Sequence, residues 1–322
     1  MEDPRLYQTD VYGRKAVNFI NRRAPEKSPF FLSVAFLAPH HETASIRAVT
    51  GKLVRPAPRD AVALANETLE AGRAFDEGDL SDKPGFLRRG PLRVAVMDRI
   101  AAHFRQRQRS LLAVDDAVQA IVDALRKRGE LDNTYILFTS DNGYMQGEHD
   151  VPSGKMLPYD PSTAVPLLIR GPGIPHGQVS EELVGNVDLS PTILQATGAR
   201  PGLPQDGRSL IPFARHPERR TRRPLLHEAG GLRFIPVRDQ DQDGTPAVKR
   251  ILSYRAVRTA RWLYVAYRSG ARELYDLELD PNELHSHADD PRYGSIRNTL
   301  QRVLRRLAQC QGAACRQPTQ VL

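Results

Sequence analysis

Two short apolar runs flanking one long helical stretch constrain this chain more than any other feature. The first, Phe30 to Ala38 (FFLSVAFLA), is bounded by Pro29 and Pro39. The second, residues 134–140 (TYILFTS), runs straight into Asp141-Asn142-Gly143. A continuous apolar run of strand length suits a strand buried on both faces, as in a parallel sheet. No proline interrupts the chain between Pro91 and Pro152, and Val96, Ile100, Phe104, Leu111, Val114, Val118, Ile121, Val122 and Leu125 recur at helical spacing. This predicts one or two long amphipathic helices ended near Gly129. Strand, helix, strand is the βαβ pattern of a sheet covered by helices. In such sheets chemistry gathers at the carboxyl ends of the strands.

The rest of the chain reads around that unit. Val11, Ala16, Phe19 and Ile20 predict a helix over 11–23, stopped by Pro25. Residues 42–91 are poor in periodicity and read as a long excursion with one short helix at 60–72; excursions of that length usually carry function. VPLLIRGPG (165–173) predicts a third strand, and 188–197 a helix with Asp188 as N-cap and Gly198 as its end. After Pro212 the segments RILSYRAVRT, RWLYVAYR and ARELYDLEL predict antiparallel strands of a smaller sheet. A last helix over 295–309 gathers Ile296, Leu300, Val303, Leu304 and Leu307 on one face.

Charge and composition exclude several classes. The chain carries 46 Lys and Arg against 38 Asp and Glu, a formal charge of +8, which invites a nucleic-acid reading. The cations scatter, however, and no aromatic residues interleave with them as a stacking platform requires. The densest run, Arg215 to Arg223, reads as a solvated loop, and no nucleic-acid partner is expected. An anionic small substrate fits the same charge. No apolar run approaches the ~20 residues of a membrane span, and the first residues lack the basic and apolar regions of a secretory signal. Cys310 and Cys315, with four residues between them, either close a small disulfide or remain free.

Three constellations can carry chemistry. Asp141 and Asn142 place two oxygen donors at a strand end, which suits a hard cation; as a triplet with Gly143 they also suit a plain turn. His40 closes the first apolar run and can bind an anionic oxygen or act as an acid, or stand as a loop histidine. Lys155, after Gly154 in the loop between the second and third strands, can present a point charge to phosphate or sulfate, or remain a solvated surface lysine. All three fall at strand ends on what should be one rim.

The ordered set PFFLSVAFLAPH, LLAVDDAVQAIVDALRKRGELDNTYILFTSDNGYMQGEH, GK, VPLLIRGPGIP and NVDLSPTILQATGA with DGRSL resembles the sulfatases, within the alkaline-phosphatase-like superfamily. FDEGDLSDKP (75–84) and CQGAACR resemble the N-acetylglucosamine-6-sulfatase and bacterial arylsulfatase branch, and the tail from Tyr254 resembles the family's small C-terminal sheet. The resemblance implies an α/β fold: a mixed, mostly parallel sheet flanked by helices, its first strands missing, plus a small C-terminal antiparallel sheet with a helix. Residues 1–212 would be the C-terminal portion of the catalytic domain and 213–322 a small α+β subdomain. The resemblance makes Asp141 and Asn142 calcium ligands, His40 a contact to the sulfate or the leaving-group oxygen, and Lys155 a contact to the sulfate ester. The parent reaction is hydrolysis of a sugar or aryl sulfate ester, in a family often exported.

The departures from that pattern are as informative. Sulfatases attack with a formylglycine made from Cys/Ser-x-Pro-x-Arg, yet none of the 25 prolines here has Cys, Ser or Thr two positions before it. The chain therefore has no nucleophile of this kind. The paired aspartates that complete the calcium site have no counterpart, and Asp115-Asp116 lies inside the long helix instead. Tyr159-Asp160 replaces the usual Tyr-Glu after the lysine. The expectation is a sulfatase-like chain lacking the N-terminal third to half of such an enzyme, with a partial calcium site and no activity in isolation. Its partners would be a sulfated small molecule or glycan, together with an N-terminal partner fragment or a second copy. The alternatives are a non-catalytic binder of sulfated ligands and a phosphoesterase of the same superfamily.

Overall fold

The computed structural model describes residues 6–26, 28–41, 54–88, 90–230 and 253–319. They divide into two units: 6–71 with 93–136, and 72–92 with 137–230 and 253–319. Of the long 42–91 excursion, residues 42–53 and 89 lie outside the described residues.

In the first unit, helix α1 (Gln8–Arg23) packs along α2 (Val94–Lys127), a single helix of 34 residues. Small side chains make the close crossing: Ala16, Ala113 and Ala117 are buried, and a Cβ on Gly13 would stand 2.9 Å from that of Ala117. Ile20, Ala124 and Leu125 form the core here, with Phe30, Leu32 and Ile121 against it. Arg126 and Lys127 suit the negative end of α2, and Gly129 supplies the left-handed turn (φ 74°) that ends it. Arg59 bridges the two helices through Asp10 at 2.8 Å and Asp116 at 2.9 Å.

Two expectations for this unit fail. The run 30–38 is not a strand buried on both faces: it pairs with no strand among the described residues and alternates half-buried with exposed side chains. Phe30 and Leu32 reach the helix core, while Phe31 and Leu37 stay exposed. Without a neighbouring ladder, only the helix-facing side can be covered. The short helix at 60–72 is also absent; one 3₁₀ turn, Pro58–Asp60, is followed by turns. Residues 61–72 are mostly exposed, Val62 at 82%, so no apolar face exists to offset the cost of ordering a helix.

The second unit contains two sheets. Strands β1 (Ile136–Thr139) and β2 (Leu167–Arg170) pair with each other, and Phe138 and Leu168 leave one side open to solvent. Between them lies the long loop with a short helix, α3 (Asp160–Thr163). Helices α4 (Leu189–Thr197) and α5 (Ile211–Arg215) follow. The predicted C-terminal sheet is present as an antiparallel sheet of β4 (Tyr254–Arg258), β5 (Trp262–Tyr267) and β6 (Arg272–Asp276), and a strand the sequence did not announce, β3 (Leu225–Ala229), pairs with β4. Helix α6 (Gly294–Leu307) covers one face, packing Leu300, Val303 and Leu304 on Val257, Trp262, Tyr264 and Leu274. The other face, with Leu263, Val265 and Tyr275, is covered by Met145, Leu157 and Tyr159 from the β1–β2 loop. Strand alternation thus sends one set of side chains to the helix and the other to the loop.

Asp188 stands at the N-cap position of α4 but makes no capping bond to that helix. Its carboxylate instead accepts the backbone N–H groups of Gly185 and Arg208 and the fork of Arg223. Arg223 is buried with it, so the arginine run is not wholly a solvated loop. Cys310 and Cys315 form a disulfide, their Cα atoms 5.1 Å apart.

Candidate functional site

Asp141 and Asn142 lie where β1 opens into the loop. The exposed Asp141 carboxylate accepts the Asn142 N–H at 3.0 Å through Oδ1, and the Asn142 amide donates to the Gly143 carbonyl at 2.8 Å. Asn186 ties the turn from outside, donating to the carbonyls of Ser140 and Asp141. Glycine is required next: a Cβ on Gly143 would sit 2.2 Å from the Pro161 carbonyl oxygen. Backbone bonds then carry the loop onward, from Gly143 to Ser162, Tyr144 to Pro161, and Met145 to Gly154.

Lys155 follows that last contact. Met145 and Gly154 form a bridge, which fixes Lys155 opposite the segment continuing from Asp141-Asn142. No hydrogen bond or ion pair holds its side chain among the described residues. The fold therefore brings Asp141, Asn142 and Lys155 onto one braced loop.

Bracing comes from the antiparallel sheet. Tyr159, fully buried, donates its hydroxyl to Glu273 at 2.6 Å, and Tyr267 and Tyr275 donate to the same carboxylate. Burial pushes the Glu273 pKa up, and the three phenols oppose that shift. Asp160 is gripped by Arg258 at 3.2 and 3.0 Å, and its N–H donates to Glu283. The Tyr159-Asp160 pair is thus an anchor of the loop.

A second anchor escaped sequence reasoning. His149, with no exposed surface, meets Glu77 at 2.6 Å through Nδ1, and Lys83, equally buried, lies 3.5 Å from Glu77 and donates to the Leu284 carbonyl. His149 and Asp150 both hold positive φ, near 53° and 57°. His149 Nε2 and Asp150 Oδ1 are buried and have no partner among the described residues. Burial and the carboxylates of Asp76 and Glu77 raise Asp150 to about 6. The signal was spatial: Glu77 and Lys83 stand in FDEGDLSDKP, some seventy residues before His149.

His40 belongs to the first unit. It closes a turn in which its N–H donates to the Leu37 carbonyl, its ring stacks on His41 at 4.3 Å, and Nδ1 lies 2.8 Å from the His41 carbonyl oxygen. It is half-buried. Among the described residues no group of three or more His, Cys, Asp or Glu can hold a metal ion. Calcium takes six to eight oxygens, and Asp141 with Asn142 offers only two side chains, so these residues do not fit a complete calcium site.

The sulfatase family model matches residues 2–199. The chain belongs to the sulfatase family. It is 32% identical to an arylsulfatase of Volvox carteri over 99% of this chain and 53% of that protein. It is 31% identical to the N-acetylglucosamine-6-sulfatase of Capra hircus, over 97% of this chain and 57% of that one. The chain thus spans a little over half the length of these relatives. A solved structure of BT4656 with its substrate D-glucosamine-2-N,6-O-disulfate superposes with a TM-score of 0.73 at 23% identity, covering 93% of this chain and 69% of that one. That likeness shows the shared mixed α/β fold. No helix among the described residues is long and apolar enough to cross a membrane.

Proposed function

We propose that this sulfatase-family chain is the sulfate-recognising part of a sulfate-ester hydrolase acting on a sugar or aryl sulfate. The observation that carries this reading is Lys155: a cation without a partner among the described residues, on a loop anchored by two buried polar clusters. Such a lysine can meet a sulfate oxygen as a point charge without first leaving an ion pair. Asp141 and Asn142 would give two oxygens to a calcium ion whose other ligands the described residues do not supply. The relatives named arylsulfatase and N-acetylglucosamine-6-sulfatase, and the disulfated glucosamine in BT4656, support this substrate class. The division into a catalytic portion, 1–212, and a small subdomain, 213–322, belongs to the same reading.

No Cys/Ser-x-Pro-x-Arg occurs in the chain, so by itself it binds and does not turn over. That observation favours a second reading, a non-catalytic binder of sulfated ligands. Hydrolysis of 4-nitrophenyl sulfate separates them. The chain alone should be inactive, and adding a polypeptide with a formylglycine-bearing sulfatase N-terminal segment should restore turnover. Binding of sulfated sugar that never gains turnover with such a segment would establish the second reading, and failure to bind at all would overturn both.

A further inference from the structure

The C-terminal sheet carries a cationic cluster that the reading above does not use. Strand register places Arg272 of β6 opposite Ala266, two residues from the Tyr264–Leu274 pair. Alternation puts Arg272, Leu274, Tyr264 and Ala266 on the sheet face covered by α6. On α6, Arg297 and Arg305 are two helical turns apart, so they line one flank of that helix. All three guanidinium groups act on the Tyr264 hydroxyl, opposing the burial that pushes its pKa up.

Two features of this cluster suit an anion. First, no carboxylate among the described residues pairs with Arg272, Arg297 or Arg305: Arg272 and Arg305 are exposed to solvent, and Arg297 donates to the Ala288 carbonyl. Second, Tyr264 has no exposed surface, yet its hydroxyl lacks a hydrogen-bond partner among the described residues. A buried hydroxyl without a partner is destabilising by roughly 1–3 kcal/mol, so such groups are usually satisfied. A tetrahedral oxyanion meets both demands, because it accepts from guanidinium forks and from a phenol alike.

We propose that Arg272, Arg297, Arg305 and the Tyr264 hydroxyl form an anion-binding site that takes one sulfate or phosphate group of a ligand. The site lies on the helix-covered face of the sheet, whereas the loop bearing Lys155 packs on the opposite face. It is therefore separate from the Lys155 site, and arginine side chains, with their long rotatable stems, can open to admit the ion. Bound there, an anionic group would fasten α6 to the edge strand β6.

Titration calorimetry of the full chain with inorganic sulfate, and in parallel with inorganic phosphate, at constant ionic strength in sodium chloride, tests this. The intact chain should bind sulfate in a step that Lys155→Ala retains and that the double variant Arg272→Ala with Arg305→Ala weakens at least tenfold. Stronger binding of phosphate than of sulfate would assign the site to phosphate-bearing ligands, and the reverse to sulfated ones. Tyr264→Phe guards against misfolding: it should be as stable as the parent, or more so, without added anion, and lose at least threefold in affinity. Unchanged sulfate affinity in the double arginine variant, or in Tyr264→Phe, would overturn the proposal.

Discussion

Asp150 makes the protein's stability depend on pH in a predictable direction. Asp150 is buried, only 4% exposed, has no partner for Oδ1 among the described residues, and sits beside the carboxylates of Asp76 and Glu77, opposed by a hydrogen bond from the Glu77 backbone and by His149. These surroundings raise its pKa from 3.8 to about 6. A carboxyl with a raised folded pKa keeps its proton in the native state after the unfolded chain has released it. Its contribution to stability is therefore complete below about pH 4 and lost as pH rises to about 6. A shift of about two units corresponds to about 3 kcal/mol at most, and about 1–2 kcal/mol after allowance for water reaching a loop. Asp150→Asn keeps the shape and cannot ionise. Urea unfolding at pH 4.5 and pH 7 should show the variant gaining about 1–2 kcal/mol on the parent at pH 7 and about a third of that at pH 4.5. Glu273 and Glu283, whose pKa values are also raised by burial, act in the same direction in both proteins and cancel in the difference. An identical pH dependence of parent and variant would refute the reasoning.

Two further substitutions test the bracing of the site. Gly143→Ala forces a Cβ against the Pro161 carbonyl at 2.2 Å, so it should cost about 1–3 kcal/mol in thermal or urea unfolding; parent-like stability would show that the turn can move freely. Arg223→Ala leaves the Asp188 carboxylate, with no exposed surface, without its fork, and should cost about 3–5 kcal/mol, with Asp188→Asn in the same background recovering part of it; no loss would mean that the pair is not buried in solution.

How much of this was legible in the chain depends on the range of the contact concerned. The meander was readable because alternation in RWLYVAYR and ARELYDLEL is local, and α6 because Leu300, Val303, Leu304 and Leu307 recur within two turns. The long helix was readable too, although its buried stripe includes His103, Ser110, Ala113 and Ala117, which apolar periodicity passes over. At Ala117 the reason is the close approach of Gly13 on α1, a tertiary fact. The same holds for Phe30 to Ala38: the residues look like a core strand, but burial on both faces depends on a neighbour that the described residues do not supply. That Asp141, Asn142 and Lys155 share the loop after β1 follows from strand ends and turn chemistry. Glu77, His149, Glu273 and Glu283, which hold their loop in place, were not, because each partner lies far along the chain.

The central claim is that Lys155 and its loop recognise a sulfate ester. Titration calorimetry of the whole chain with glucosamine-6-sulfate, against unsulfated glucosamine, tests it most directly. The account predicts saturable binding of the sulfated sugar, at least tenfold weaker in Lys155→Ala, and none of that preference for the unsulfated one. Equal binding of the two sugars, or a Lys155→Ala variant with parent-like Kd, would contradict it.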